Sequence, residues 1–396
     1  MIDFNRVIDR QGTDAEKLEL RHKLFGTDAV LPMWVADQDL ATPEFIIKAL
    51  QRRLAHPILG YTCMSDRLCQ AIIDWQAQYH FSVTPEQIVF THNVAQGFHL
   101  AVQAFTQPSD AVLVQTPVYP PFLKAAPRNH RKTVIAPLQW QDGNYQIDFE
   151  AFEKVIVEQN VKLFLLCHPQ NPSGRVWVRQ ELEQLAQICL KHQVLVVSDE
   201  IHADMTFSPY QHIPMASLSD EVARNTVTLT SPGKTFNLGG LQTGYAVIAN
   251  PRLRRQYIQA CQAVSVLEPN LFANVAMEAA YSLEGKMYRD EWVVFLQSNI
   301  QRVCEFFAQH FPKVKVVRPQ ASFLIWLHFS ALFSTQADLK TWLIDEAGLG
   351  LNDGETFGEN GRGFMRMNIA VSPNQLEKAL SQLVTAKAYI PLNKKS

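Results

Sequence analysis

Net charge is almost absent: 36 Lys and Arg stand against 38 Asp and Glu among 396 residues, a formal charge of -2. The one basic run is the terminal Asn393-Lys394-Lys395-Ser396, so nothing points to a nucleic-acid or polyanion partner. No apolar run approaches the roughly eighteen residues of a membrane span, which argues against a membrane protein. Met1-Ile2-Asp3-Phe4-Asn5-Arg6 lacks the hydrophobic segment of a secretory signal, and the chain reads as cytoplasmic. Cysteine is sparse. Cys63, Cys69, Cys167, Cys189, Cys261 and Cys304 show neither metal-ligand pairing nor disulfide density, so no metal is expected. Most should be core residues; Cys63 and Cys167, in or beside conspicuous motifs, are the two that could respond to thiol reagents, with no catalytic role expected. Internal repeats, low-complexity blocks and a clear linker are also missing.

What is present is apolar residue, 47% of the chain, on a length beyond the usual single core, which predicts two domains. The opening stretch to about Leu40 has mixed polarity and reads as an arm lying over the rest of the molecule. Thr42 is the expected N-cap of a helix with Pro43 at its first position, running to about Leu54 and ended by His56-Pro57. Asp66 to Tyr79 has a helical period, and Ile88-Val89-Phe90 reads as a strand. Short apolar runs then recur at 111–114, 133–135, 163–166, 194–197, 226–229 and 245–248, with helix-like segments such as Glu181 to His192 between them. That alternation predicts an α/β fold with a mostly parallel sheet. A helical stretch including Glu278 to Gln309 follows, then strands near Val314-Val317 and Phe323-Leu327. The expected domains are 1–49 (arm and part of a small domain), 50–285 (large domain) and 286–396 (C-terminal small domain).

Ligands of parallel sheets gather at strand C-terminal ends. Three such ends carry chemistry: Lys234 in Ser231-Pro232-Gly233-Lys234, Asp199 closing Val194 to Ser198, and Asn171 in His168-Pro169-Gln170-Asn171-Pro172-Ser173-Gly174. An amine, a carboxylate and an amide form the set that pyridoxal 5'-phosphate requires: a lysine for the Schiff base, an acid for the ring nitrogen and a donor for the ring oxygen. Each residue alone also fits a bland role, as a solvated loop charge, a strand-end cap or an Asn-Pro turn. Asn93-Val94-Ala95-Gln96-Gly97 opens a helical run, where backbone N–H groups can face an anion.

The order Asn171-Pro-x-Gly174, Asp199, Ser231-x-x-Lys234 and Arg366-Met-Asn-Ile-Ala resembles the fold type I pyridoxal-phosphate enzymes. Met33-Trp34-Val35-Ala36-Asp37, Ala41-Thr42-Pro43, Gly60-Tyr61-Thr62 and Pro117-Val118-Tyr119-Pro120-Pro121-Phe122 narrow the resemblance to the MalY/PatB-type cystathionine β-lyase branch of the class I/II aminotransferases, from about Phe4 to about Ala370. The resemblance implies a seven-stranded sheet sandwiched by helices and a homodimer with shared sites. Lys234 would hold the cofactor and, as a free amine with a lowered pKa, remove the substrate α-proton. Asp199 would pair with the pyridine nitrogen, Asn171 with the phenolate oxygen, and Tyr119 would stack on the ring. His202 stands where aminotransferases of this fold usually carry a tyrosine; a histidine bonded to backbone is the other reading. Ser231, the N–H groups of Val94 and Ala95, and Tyr61 from the second subunit would hold the phosphate. Arg366 would clamp the substrate carboxylate, with Trp34 and Ala36 lining the channel. Asp37 and Asp39 read as caps and solvated charges.

The sequence departs from the branch at Asn93 (usually glycine), Gly233 (often serine), Gln242 (an arginine in aminotransferases), Gln38 (commonly methionine) and Leu40 (commonly phenylalanine). The implied activity is β-elimination from L-cystathionine or a similar S-substituted cysteine, giving a thiol, pyruvate and ammonia. An aminotransferase is the alternative, and a regulatory protein-binding role beside lyase activity is a second.

Overall fold

The computed structural model describes residues 2–141, 143–266 and 268–390, so the basic run at 393–396 lies outside the described residues. The apolar runs form seven strands: β1 (Ile88–Phe90), β2 (Ala111–Val114), β3 (Lys132–Ile135), β4 (Val161–Cys167), β5 (Leu195–Asp199), β6 (Thr226–Thr230) and β7 (Tyr245–Val247). They order as β1-β7-β6-β5-β4-β2-β3; β7 is antiparallel to both neighbours and the other pairings are parallel. The strands are continuous apolar runs because both faces are covered. On β4, Leu163, Leu165 and Cys167 face one way, with Phe98, Phe122 and Tyr257 of helices Val94–Phe105, Pro120–Arg128 and Pro251–Ala263. Phe164 and Leu166 face the other, with Phe152, Leu182 and Leu185 of helices Phe149–Glu158 and Arg179–Lys191.

A second, antiparallel sheet of four strands is built from β8 (Lys315–Val317), β9 (Leu324–His328), β10 (Asn352–Asp353) and β11 (Phe364–Asn368), in the order β8-β9-β11-β10. Its core shares one cluster with the long helix Leu283–His310, whose buried stripe Tyr288, Trp292, Leu296, Ile300, Val303 and Phe307 repeats every three or four residues. The arm folds into helices Glu16–Glu19 and Arg21–Phe25, and Leu31–Pro32 pairs in parallel with Leu349–Gly350.

Differences from expectation are local. The first long helix is Glu44–Leu54 with Pro43 at the N-cap; Thr42 makes no cap and its Oγ1 points to Asn237 O at 3.4 Å. The segment before the helix is drawn toward the lysine turn, and that tertiary attachment outweighs the local capping preference. Strand β11, known from sequence only by its arginine, is a central strand. Cys167 is buried, takes a hydrogen bond from Asn171 N at 3.3 Å and has its thiol pKa pushed up by burial, so of the two cysteines near motifs Cys63, which is exposed, is the one open to thiol reagents.

Gly244, just before β7, shows how tightly the sheet edge meets the turn after β1. A Cβ there would lie 2.8 Å from Asn93 Cα and 2.9 Å from Thr91 O, backbone atoms that cannot rotate away. Gly244→Ala is expected to cost about 1–3 kcal/mol, as overpacked sites do. Urea denaturation of the two proteins checks this, and a loss below about 0.5 kcal/mol contradicts it.

Candidate active site

The ends of β4, β5 and β6 meet. Cys167 pairs with Asp199 in register, and His168 N donates to Asp199 O at 2.9 Å. Asp199 is buried, and Ile201 N donates to its Oδ1 at 3.1 Å, but no donor among the described residues reaches Oδ2. Burial therefore lifts its pKa to about 7, against the Ile201 hydrogen bond and the charge of Lys234. Asn171, in the turn after β4, receives Arg366 Nη1 on its Oδ1 at 3.0 Å. Its Nδ2 has no acceptor among the described residues and remains able to donate. Tyr119 N donates to Asn171 O at 3.1 Å, and burial raises the Tyr119 phenol while the charges of Arg366 and Asp199 both act on it.

Arg366, on β11, is 4% exposed and has no carboxylate partner among the described residues. Nη2 donates to Asn352 Oδ1 at 2.6 Å and Trp34 O at 3.1 Å, Nε has no acceptor, and the guanidinium lies over Phe357 at 4.9 Å. Burial pulls its pKa to about 10. A guanidinium held by neutral acceptors alone keeps its full charge for an anion from outside.

Lys234 donates from Nζ to Ala36 O at 2.6 Å. Burial first, then Arg366, pulls its pKa down to about 8, while Asp37, Asp199 and Glu16 pull the other way. His202 is buried with its Nδ1 unpartnered, so no backbone bond holds that atom; burial drops its pKa to about 3, keeping the imidazole neutral. Trp34 is fixed by Nε1 donating to Lys17 O at 3.2 Å. Asp37 and Asp39 are not solvated charges. Arg10 reaches both at 2.7 Å, and the buried Lys17 pairs with them at 3.0 and 3.1 Å.

At the far end, Asn93 caps helix Val94–Phe105 by accepting Gln96 N at 2.8 Å, leaving the N–H groups of Val94 and Ala95 at the helix start. Ser231 Oγ lies 3.0 Å from Thr243 Oγ1, and Gly233 N donates to it at 2.9 Å. Asn93 Nδ2 donates to Gln242 Oε1 at 2.7 Å, so two departures from the family pattern are one neutral pair. Tyr61 stands fully exposed, apart from the other candidates within this chain.

These residues fit the cofactor anticipated from the sequence. A buried acid short of a donor suits a pyridinium, the free Asn171 Nδ2 suits a phenolate, and two hydroxyls beside a helix start suit a phosphate. Sequence reasoning missed Thr243, Asn352, Asn368 and the role of Gln38; only the strand-alternation partner of Arg366 offered a signal, and for Asn352 it is too short to read.

The proton on Asp199 has a thermodynamic consequence. The folded chain holds it to about pH 7, whereas an unfolded Asp releases it near 3.8, so the folded state binds more protons between these values and loses stability as pH rises through them. Asp199→Asn removes that loss. In cofactor-free protein the variant's stability relative to wild type is expected to rise from about pH 5 to about pH 8 in urea melts; an unchanged gap contradicts the raised pKa.

Comparison with known proteins agrees with this geometry. Residues 34–383 match the family described as Aminotransferase class I and II. Cystathionine beta-lyase PatB of Bacillus subtilis is 40% identical, over 97% of this chain and 100% of its own. Protein MalY of Escherichia coli is 33% identical, over 98% of this chain and 99% of its own. Among solved structures, cystalysin from Treponema denticola, which contains pyridoxal 5'-phosphate, superposes with a TM-score of 0.95 at 30% identity, covering 99% of this chain and 100% of that one. The chain is a member of the class I and II aminotransferase family, with the fold type I architecture of its pyridoxal-phosphate enzymes.

Proposed function

We propose that this protein is a pyridoxal-phosphate-dependent carbon–sulfur β-lyase, cleaving L-cystathionine or another S-substituted cysteine to a thiol, pyruvate and ammonia. The observation that carries the reading is the pair formed by Arg366, a buried cation with no acid partner among the described residues, and Lys234, an amine whose pKa is brought down to about 8. Relatives named cystathionine beta-lyase and a C-S lyase structure support it. His202 and Gln242, in place of the aminotransferase tyrosine and arginine, favour elimination over amino transfer.

The bound cofactor supplies an electron sink for the bond that breaks at the substrate Cα. Lys234 would hold it until the substrate amine takes its place and frees the lysine amine, Asp199 would keep its ring nitrogen protonated, and Asn171 would donate to its ring oxygen, with Tyr119 and His202 beside it. Ser231, Thr243 and the Val94 and Ala95 N–H groups take the phosphate. Arg366 binds the substrate carboxylate and so fixes Cα near Lys234. The neutral amine of Lys234 accepts the Cα proton, is held as an ammonium beside Ala36 O, and passes the proton to the departing sulfur as the Cβ–S bond breaks. The released enamine acid takes up water to give pyruvate and ammonia.

In the same reading residues 50–285 form the cofactor domain and the flanking segments the smaller one. In the same reading the protein is cytoplasmic. Among the described residues no helix is long and apolar enough to cross a membrane. It is a homodimer in which Ile58, Leu59 and Tyr61, all more than half exposed, meet the second subunit, Tyr61 reaching the phosphate there.

Lys234→Ala is expected to abolish thiol release from L-cystathionine, and residual turnover within tenfold of wild type would sink the assignment. Arg366→Lys loses the planar fork and should raise KM by about 10–100-fold with a smaller effect on kcat; an unchanged KM would remove the carboxylate role. Shared sites make a third prediction. Lys234→Ala and Tyr61→Ala proteins, each nearly inactive, should recover about a quarter of wild-type activity after subunit exchange, and no recovery would argue that each subunit's site is self-sufficient.

A further inference from the structure

We propose that Gln38 is a positioning residue for Lys234: its carboxamide clamps the turn that carries the amine to the segment that lines the channel. Gln38 Nε2 donates to Lys234 O at 2.7 Å and to Thr235 O at 3.0 Å. Both partners are carbonyls, so only the nitrogen can face them and the orientation of the amide is settled by chemistry. The clamp is reciprocal. Gln38 N donates to Asn237 Oδ1 at 3.1 Å, and Asn237 Nδ2 donates back to Gln38 O at 3.0 Å and Leu40 O at 3.2 Å. With 1% exposure, Gln38 cannot exchange these bonds for water, and its Oε1 has no donor among the described residues.

The consequence lies two residues away. Ala36 O receives Lys234 Nζ at 2.6 Å, so the path from Ala36 along the chain to Gln38, across to the Lys234 backbone and out along its side chain closes a ring. The ring sets the distance between the amine and that carbonyl. An acceptor at this range favours the ammonium over the amine, giving the lysine a fixed place to hold a proton between taking it and releasing it. The inference rests on the reading of Lys234 as the proton carrier. The other charged groups acting on Lys234 are Arg366 on β11, Asp37 in the channel segment, Asp199 at the end of β5 and Glu16 on the arm, Lys234 in turn acts on His202, and substitution of Gln38 replaces none of these residues.

The test uses cofactor-free protein, acylated briefly with acetic anhydride from about pH 6 to about pH 10 and read by mass spectrometry on the Lys234 peptide. Gln38→Met frees Nζ from Ala36 O and is expected to move the labelling midpoint down by about one pH unit, the tenfold change that loss of one charge-assisted hydrogen bond produces. Gln38→Asn, with a shorter amide, should fall between. Gln336→Met, another buried amide replaced by methionine, controls for packing and should leave the midpoint in place. In the loaded enzyme kcat should fall with KM unchanged. A midpoint that stays at the wild-type value in both Gln38 variants, with only the melting temperature lowered, overturns the proposal; if Gln38→Met does not fold, the Gln38→Asn midpoint alone decides. Wild-type protein that labels as expected but forms no pyruvate would end the lyase reading and leave the clamp intact.

Discussion

Residues 34–40 have no regular secondary structure, yet they line the site, and a polar backbone inside a protein must find partners. The partners here come from side chains far along the chain. Arg366 donates to the Trp34 carbonyl, Asn368 to those of Val35 and Asp37, Lys234 to that of Ala36, and Asn237 to those of Gln38 and Leu40. One segment therefore joins the lysine turn of the large sheet to the central strand of the small sheet. Its outer side is tied to the arm through Arg10, Lys17, Asp37 and Asp39. The amine and the guanidinium, on different sheets, share this scaffold, and that gives them a constant relative position.

The electrostatics of the site run against stability. A buried arginine without a counter-ion among the described residues, a buried aspartate lifted to about pH 7 and a buried histidine with an unpartnered nitrogen each disfavour the folded chain. In the proposed function each would be relieved by a group of the opposite character: a carboxylate at Arg366, a protonated ring nitrogen at Asp199, a polar ligand atom near His202. Proteins accept such violations where binding repairs them. The neutral Asn93–Gln242 pair stands at the start of helix Val94–Phe105, the end where the proposed function puts the phosphate beside the Ser231 and Thr243 hydroxyls.

Much of this was legible in the sequence. Strand ends are readable from apolar runs, and the rule that ligands collect at their C-terminal side brings Asn171, Asp199 and Lys234 together from the sequence alone. Family resemblance added Arg366, Trp34 and Ala36, and the seven-stranded sheet follows the expected runs closely. Gln38, Asn352, Asn368 and Thr243 were not readable as site residues, because their importance lies in contacts spanning up to 333 residues of chain. Asp37 and Asp39 were misread for the same reason: local sequence shows two acids near a helix start, and the cations that neutralise them sit on the arm. Thr42 lost its capping role to a tertiary attachment that no local window contains.

The most direct measurement is a count of pyruvate formed from L-cystathionine per active site, by protein loaded with pyridoxal phosphate and given no keto acid. A site that passes the Cα proton to sulfur returns to its starting state after each cycle, so many equivalents of pyruvate per site are expected with the cofactor spectrum preserved. At most one equivalent of amine transferred, with the cofactor left in its pyridoxamine form until a keto acid is added, would contradict the account and make the protein an aminotransferase.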